Sequence, residues 1–184
     1  MSCSNESESI DVLNAQETNS SQQRSSLSTD IDNFVSSFYN SSFEYGSSIE
    51  TTDDIGTYTV TEVLVNSESR ARGYVVTEKS SGKFLYFVDV NRIDYEMTSI
   101  DITINETKIT NNIDSHNDYF LTNEFDFIGI IQTENSSSGR KRKFWGWSDW
   151  EQNSPCDETG HMLIIREHFV LFMHNVYEFN LVPC

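Results

Sequence analysis

The sequence predicts a mainly β fold, a small closed or partly open barrel behind a disordered acidic tail. Three observations predict it. Tracts rich in Tyr, Val and Thr alternate with period two from Tyr58 onward, short polar turns separate them, and the composition changes abruptly near position 57. A chain of 184 residues suits one domain. Its 36% hydrophobic content is low for a fully globular chain, so part of it is expected to lie outside the core.

That part is read as residues 1–56, which hold ten acids and one base, Arg24, for a net charge of -9. Little apolar surface is available there to offset the entropy of ordering, and the stretch is expected to be a disordered Ser-rich tail. One patch differs. Ile31, Phe34, Val35 and Phe38 recur at helical spacing after Asp30, followed by Tyr39, Phe43 and Tyr45. These are candidates either for a motif that folds onto a partner or for a helix that packs back on its own domain.

The domain proper is expected over 57–184. Thr57 to Val65, Arg72 to Glu78 and Phe84 to Val90 read as strands. Lys79 to Lys83 reads as a hairpin turn, with Gly82 where a positive φ is required. Ser99 to Asn105 alternates Ile with polar residues and predicts a half-buried strand. Phe125 to Gln132 predicts another, with Gly129 marking a bulge or bend, and Thr133 to Gly139 a polar loop. From Met162 to Val176 the apolar residues fit a C-terminal helix or two buried strands. The β-branched and aromatic runs favour the strands.

The stretch Arg72 to Lys79, the Gly82 turn and Phe84 to Val90 resemble the opening hairpin of an OB-fold domain. The likeness covers roughly 20 residues of a chain whose nearest rival architecture is a pleckstrin-homology-like barrel with a C-terminal helix. It implies a ligand-binding barrel face, to which Tyr74, Tyr86 and Phe87 would add stacking surface.

One cluster stands out as a candidate site. Arg140, Lys141, Arg142 and Lys143 run into Phe144, Trp145, Trp147 and Trp150. Cations grip phosphates and flat rings stack bases, so the pattern suits a single-stranded nucleic-acid groove. It also fits a nuclear-import signal, or a solvated basic loop leading into core tryptophans, the reading to which charge runs usually belong. The whole-chain balance of 12 basic against 29 acidic residues, net -17, opposes bulk nucleic acid and anionic membranes and favours protein partners.

Catalysis is not expected. No Gly-x-Ser-x-Gly elbow, phosphate-cradling Gly-rich loop or paired Cys and His is found, and no cofactor is implied. Cys156, His161, His168, His174 and Cys184 lack the spacing of a zinc site, so no metal is expected. Three scattered cysteines and a polar N-terminus without an apolar run suggest a reducing compartment, nucleus or cytoplasm, and no membrane. The expected function is a non-catalytic adaptor with an OB-like barrel, within a nucleic-acid-handling complex. The alternatives are a pure protein-interaction subunit and an acidic inhibitor of a nucleic-acid-binding protein.

Overall fold

The structure, a computed structural model, describes residues 27–94, 96–111, 127–137 and 143–184. It is mainly β and layered. A six-stranded antiparallel meander carries one helix on one face, and a second helix and a smaller sheet on the other.

Helix α1 (Thr29–Tyr39) begins where Ser28 accepts a hydrogen bond from the Ile31 amide at 3.3 Å, with Asp30 and Asp32 in the first turn. It ends at Asn40, which takes the left-handed conformation that closes the last turn. Ile31 and Val35 are fully buried against Val63, Val65, Val75 and Phe87. Phe34 meets Phe84 and Phe87 edge-on at 5.1 and 5.2 Å. Of the two alternatives for this segment, packing back on its own domain is what the structure has. Strand β1 (Phe43–Thr52) follows, so the boundary expected at 57 falls inside the sheet and residues 27–56 are folded. The first 26 residues, where the rest of the tail was expected, lie outside the described residues.

The meander continues through β2 (Thr57–Val65), β3 (Gly73–Glu78), β4 (Phe84–Asn91), β5 (Glu96–Asp101) and β6 (Glu106–Asn111), each paired with its chain neighbour. Period-two alternation explains how one sheet serves two cores. Val63, Val65 and Val75 point to α1, whereas Tyr58, Val60, Tyr74 and Val76 point to the other layer. The expected Gly82 turn is present, with Gly82 at φ 68°. The β5 strand stops earlier than its alternation suggests. Asp101 accepts from the Thr103 amide at 2.8 Å and Asn105 adopts φ 52°, which turns the chain into β6 and leaves Ile104 exposed.

Near the end of α1, Tyr39 donates to Asp89 Oδ1 at 3.0 Å and Arg72 Nε donates to the same oxygen at 2.9 Å. Asp89 is buried, so both partners are needed to satisfy its charge. Burial, and then the Asp89 carboxylate, push the Tyr39 phenol far above its ordinary range. Gly73 makes room for this: a Cβ there would sit 2.3 Å from the Tyr39 hydroxyl and 3.2 Å from the Val88 carbonyl oxygen.

The opposite face is covered by α2 (Phe127–Ser136), β7 (Trp145–Trp147), β8 (Glu151–Gln152), β9 (His161–Val170) and β10 (Met173–Pro183). Helix α2 corrects the strand expected over 125–132. Phe127, Ile128 and Ile131 form one helical stripe on the core, and Asn135 ties the helix to β1 by donating to the Glu50 carbonyl at 2.8 Å. The helix thus shelters an edge strand that is otherwise polar.

At the C-terminus the strand alternative holds and the C-terminal helix is overturned, since β9 and β10 form a long hairpin. Its two-residue turn, Leu171–Phe172, has φ values of 50° and 68°, a conformation usually left to Asn and Gly. Both side chains are fully buried among Phe144, Val170 and Tyr58, so core burial offsets the backbone strain. Cys156 and Cys184 form a disulfide with Cα atoms 6.1 Å apart, a pairing that does not sit with the reducing compartment read from three scattered cysteines. Pairing across 28 residues leaves no mark in spacing, because the β9–β10 ladder brings the two ends together. The sheets do not close into a barrel.

Candidate binding site

The β5–β6 hairpin pairs Ser99 with Lys108 and Asp101 with Glu106, so four polar side chains share the face turned toward the smaller sheet. Opposite them, β7 and β9 pair Trp147 with His168 and Trp145 with Val170. Between the two sheets lies a cavity of about 90 Å³, whose wall is completed by Ile104 and Gly146.

The aromatic side of the cavity is fixed by packing. Trp145 is 7% exposed and stacks on Tyr86 at 4.3 Å, so one ring face is covered. Trp147 is half-buried and meets His168 edge to face at 5.0 Å. Lys108 Nζ lies 5.1 Å from its ring centre and the Arg166 guanidinium 4.4 Å. Arg166 also lies 4.6 Å from Trp150, held by Glu178 through a 2.6 Å bond from Nε. This is a run of cation–π contacts made within the chain. Lys143 donates to the Trp147 carbonyl oxygen.

On the polar side, Glu106 pairs with Lys108 at 2.5 Å, and that bond holds its carboxyl below the usual range. His168 is 4% exposed, and its Nδ1 has no hydrogen-bond partner among the described residues. Burial pushes its pKa down to about 4, helped by Lys108 and opposed by Glu106 and Asp101. The ring is therefore neutral near pH 7, and it forms part of the cavity wall.

Of the residues expected to form a basic–aromatic site, Lys143, Trp145 and Trp147 come together here. Arg140, Lys141 and Arg142 lie outside the described residues. Trp145 fits the core reading, and Trp147 stands at the cavity. Tyr74 and Phe87 are fully buried and offer no stacking face, while Tyr86 is occupied by Trp145. In the α1 patch, Ile31 and Val35 are buried, Phe34 is half-buried, and Phe38 is 39% exposed. The disulfide consumes Cys156 and Cys184, and His161 meets Thr159 Oγ1 at 3.1 Å. Among the described residues no group of three or more His, Cys, Asp or Glu is placed to hold a metal ion. Sequence reasoning did not single out Asp101, Glu106, Lys108 or Arg166. Only the β5–β6 and β7–β9 registers bring them to one place.

A second surface lies along β10, the outer strand of the smaller sheet. Its pairing with β9 sets Leu181 beside Leu163 and Phe179 beside Ile165, with Tyr177 next in line on the same face. Phe179 and Leu181 are 55% and 58% exposed. Among the described residues no strand or helix pairs with the outer edge of β10. No protein family, curated protein or solved structure matches the chain.

Proposed function

We propose that the chain is a non-catalytic adaptor that adds an extended segment of a partner protein to the outer edge of β10. One observation carries this reading: an eleven-residue strand at the edge of its sheet, with no strand on its outer side among the described residues, that exposes the apolar side chains Phe179 and Leu181. Main-chain bonds along such an edge supply affinity, and alternate side chains supply choice. Proteins usually blunt exposed edges with charge or proline. Here the strand's charged residue, Glu178, is engaged by Arg166, and proline appears only at the far end as Pro183.

Residues 143–184 carry six acids against two bases, a net charge of -4. The partner segment is accordingly one that alternates basic and apolar residues. A synthetic peptide alternating Lys and Val, titrated while backbone amides are followed by NMR, should shift and protect the β10 amides. A peptide with Glu in place of Lys should not. Replacing Phe179 and Leu181 together by Lys should abolish the response while the remaining spectrum is retained. Peptide-induced shifts that avoid β10, or that survive the double substitution, would reject the reading.

A nucleic-acid-handling version of the adaptor is the second reading, and the OB-like likeness of the β3–β4 hairpin belongs to it. Trp147, Trp150, Lys108 and Arg166 favour it, as cations and indole rings gathered in one place. The net charge of -17 and the covered face of Trp145 weigh against it. Binding of single-stranded DNA or RNA that weakens with added salt supports this version, and no binding at low salt removes it.

A further inference from the structure

The staple at the open end of the β9–β10 hairpin is placed where it can be broken and re-formed. We infer that the Cys156–Cys184 disulfide is a reversible redox latch, which fixes the far half of β10 when oxidised and releases it when reduced by a glutathione-type thiol.

Three observations lead there. Cys156 and Cys184 are both exposed, so a thiol in solution reaches the bond without unfolding the chain. Exposed disulfides are the exchangeable ones.

The two sides of the staple are also held unequally. The Cys156 side is organised without it, because Asp157 Oδ1 accepts from the Thr159 amide at 2.9 Å, the Thr159 hydroxyl at 2.7 Å and the His161 amide at 3.0 Å. Ser154 bonds both ways to Leu163, accepting from its amide through Oγ at 3.0 Å and donating to its carbonyl oxygen at 3.2 Å. The Cys184 side rests on the ladder with β9. Pro183 has no N–H to give, and beyond it the strand is tied by the Cys184 amide, which donates to the Gly160 carbonyl at 2.9 Å, and by the disulfide. Third, no residue of 176–184 is fully buried. Segments with few buried contacts open locally at low free energy.

Breaking the bond therefore loosens β10 and leaves the loop around Asp157 in place. That loop keeps Cys156 opposite the end of β10, so the bond closes again as an intramolecular step at high effective concentration. In the opening reaction a thiolate attacks one sulfur, and the other leaves as a thiolate that takes up a proton. A second thiol resolves the mixed disulfide, so two electrons and two protons pass from two thiols to the chain, and these leave joined as their own disulfide. The effect on partner binding rests on strand addition at β10. Phe179 and Leu181 lie on the released half, so the reduced chain must order that strand anew when a partner segment pairs with it.

The test equilibrates the full chain with mixtures of reduced and oxidised glutathione and follows amide exchange by NMR, while alkylation of free thiols reports the fraction reduced. Cys3→Ser removes the third cysteine from the count. Millimolar reduced glutathione should open the bond with the β2–β4 signals unmoved, and oxidised glutathione should close it again. Amides from Phe179 to Val182 should exchange about tenfold faster in the reduced chain, the factor that freeing one residue's backbone carries. Cys184→Ser should behave as the reduced chain in either mixture. The alternating Lys and Val peptide should bind the reduced chain about tenfold more weakly, for the same reason. A bond that survives millimolar glutathione in the folded chain, equal exchange at Phe179 to Val182 in the two forms, or loss of the β2–β4 signals on reduction would overturn the latch. Equal peptide affinity for the two forms overturns its hold on the β10 edge. No peptide binding to either form rejects strand addition itself, and the exchange rates then decide the latch alone.

Discussion

His168 shows how much a single residue's surroundings decide. Folding buries the imidazole, so its pKa falls from the ordinary value near 6.5 to about 4 while the unfolded chain keeps the ordinary one. Between those values the unfolded state binds more protons than the native state, so the contribution of this group is complete above pH 6.5 and is lost as pH falls toward 4. The groups facing it are Lys108 and Lys143, which oppose its protonation, and Glu106 and Asp101, which favour it. After a discount for solvent reaching the cavity, the loss by pH 4 is about 2 kcal/mol. Urea unfolding at pH 7 and near pH 4.5 should therefore show a steeper fall for the native chain than for His168→Gln, with equal falls telling against the account. Nothing in the sequence sets this histidine apart from the other three. Its importance depends on a strand register, and the register in turn depends on the turn at Asp101 to Asn105, which the alternation of Ile100, Ile102 and Ile104 conceals.

At the level of elements, what was legible followed from side-chain periodicity. Strands β2, β3 and β4 and the Gly82 turn stand where the Tyr, Val and Thr alternation puts them, because both faces of that sheet are buried and both demand apolar residues. Strand β1 was hidden by Gly46, Ser47, Ser48 and Glu50, since an edge strand with much of its length in water needs few apolar residues. Helix α2 was misread because Phe127 to Ile131 is short and apolar enough to suit either period. Helix α1 was legible as a helix, and its buried stripe now separates anchor from rim. Ile31→Ala should destabilise the chain by about 3 kcal/mol, as a large-to-small change in a closed core. Phe38→Ala, at a partly exposed ring, should cost about 1 kcal/mol through lost contacts with Phe87 and Tyr39. Chemical denaturation of the two variants gives the ranking, and the reverse order would mean that α1 does not dock as described.

At the level of the whole molecule, the chain joins one broad sheet to a smaller one whose hairpin is stapled at its open end. The Cys156–Cys184 bond closes a segment of 28 residues, which by chain entropy is worth about 3 to 4 kcal/mol. Reduction, or Cys184→Ser, should lower the thermal midpoint accordingly, and calorimetry with and without a reductant measures it. An unchanged midpoint would show that the staple constrains nothing that unfolds. Charge and composition marked the acidic character of the chain. They could not place the start of the fold, because residues 29–52 enter the core with few side chains and owe their order to the sheet they join.

The meander also has a kinetic side. Every pairing in the six-stranded sheet links neighbours in the chain, so its ladders can zip up from local turns. The layer over its second face must instead arrive from far along the sequence. All three tryptophans, at positions 145, 147 and 150, belong to that late-arriving layer. Indole emission in a refolding experiment is thus a clock for docking alone, blind to the earlier zipping that circular dichroism would follow.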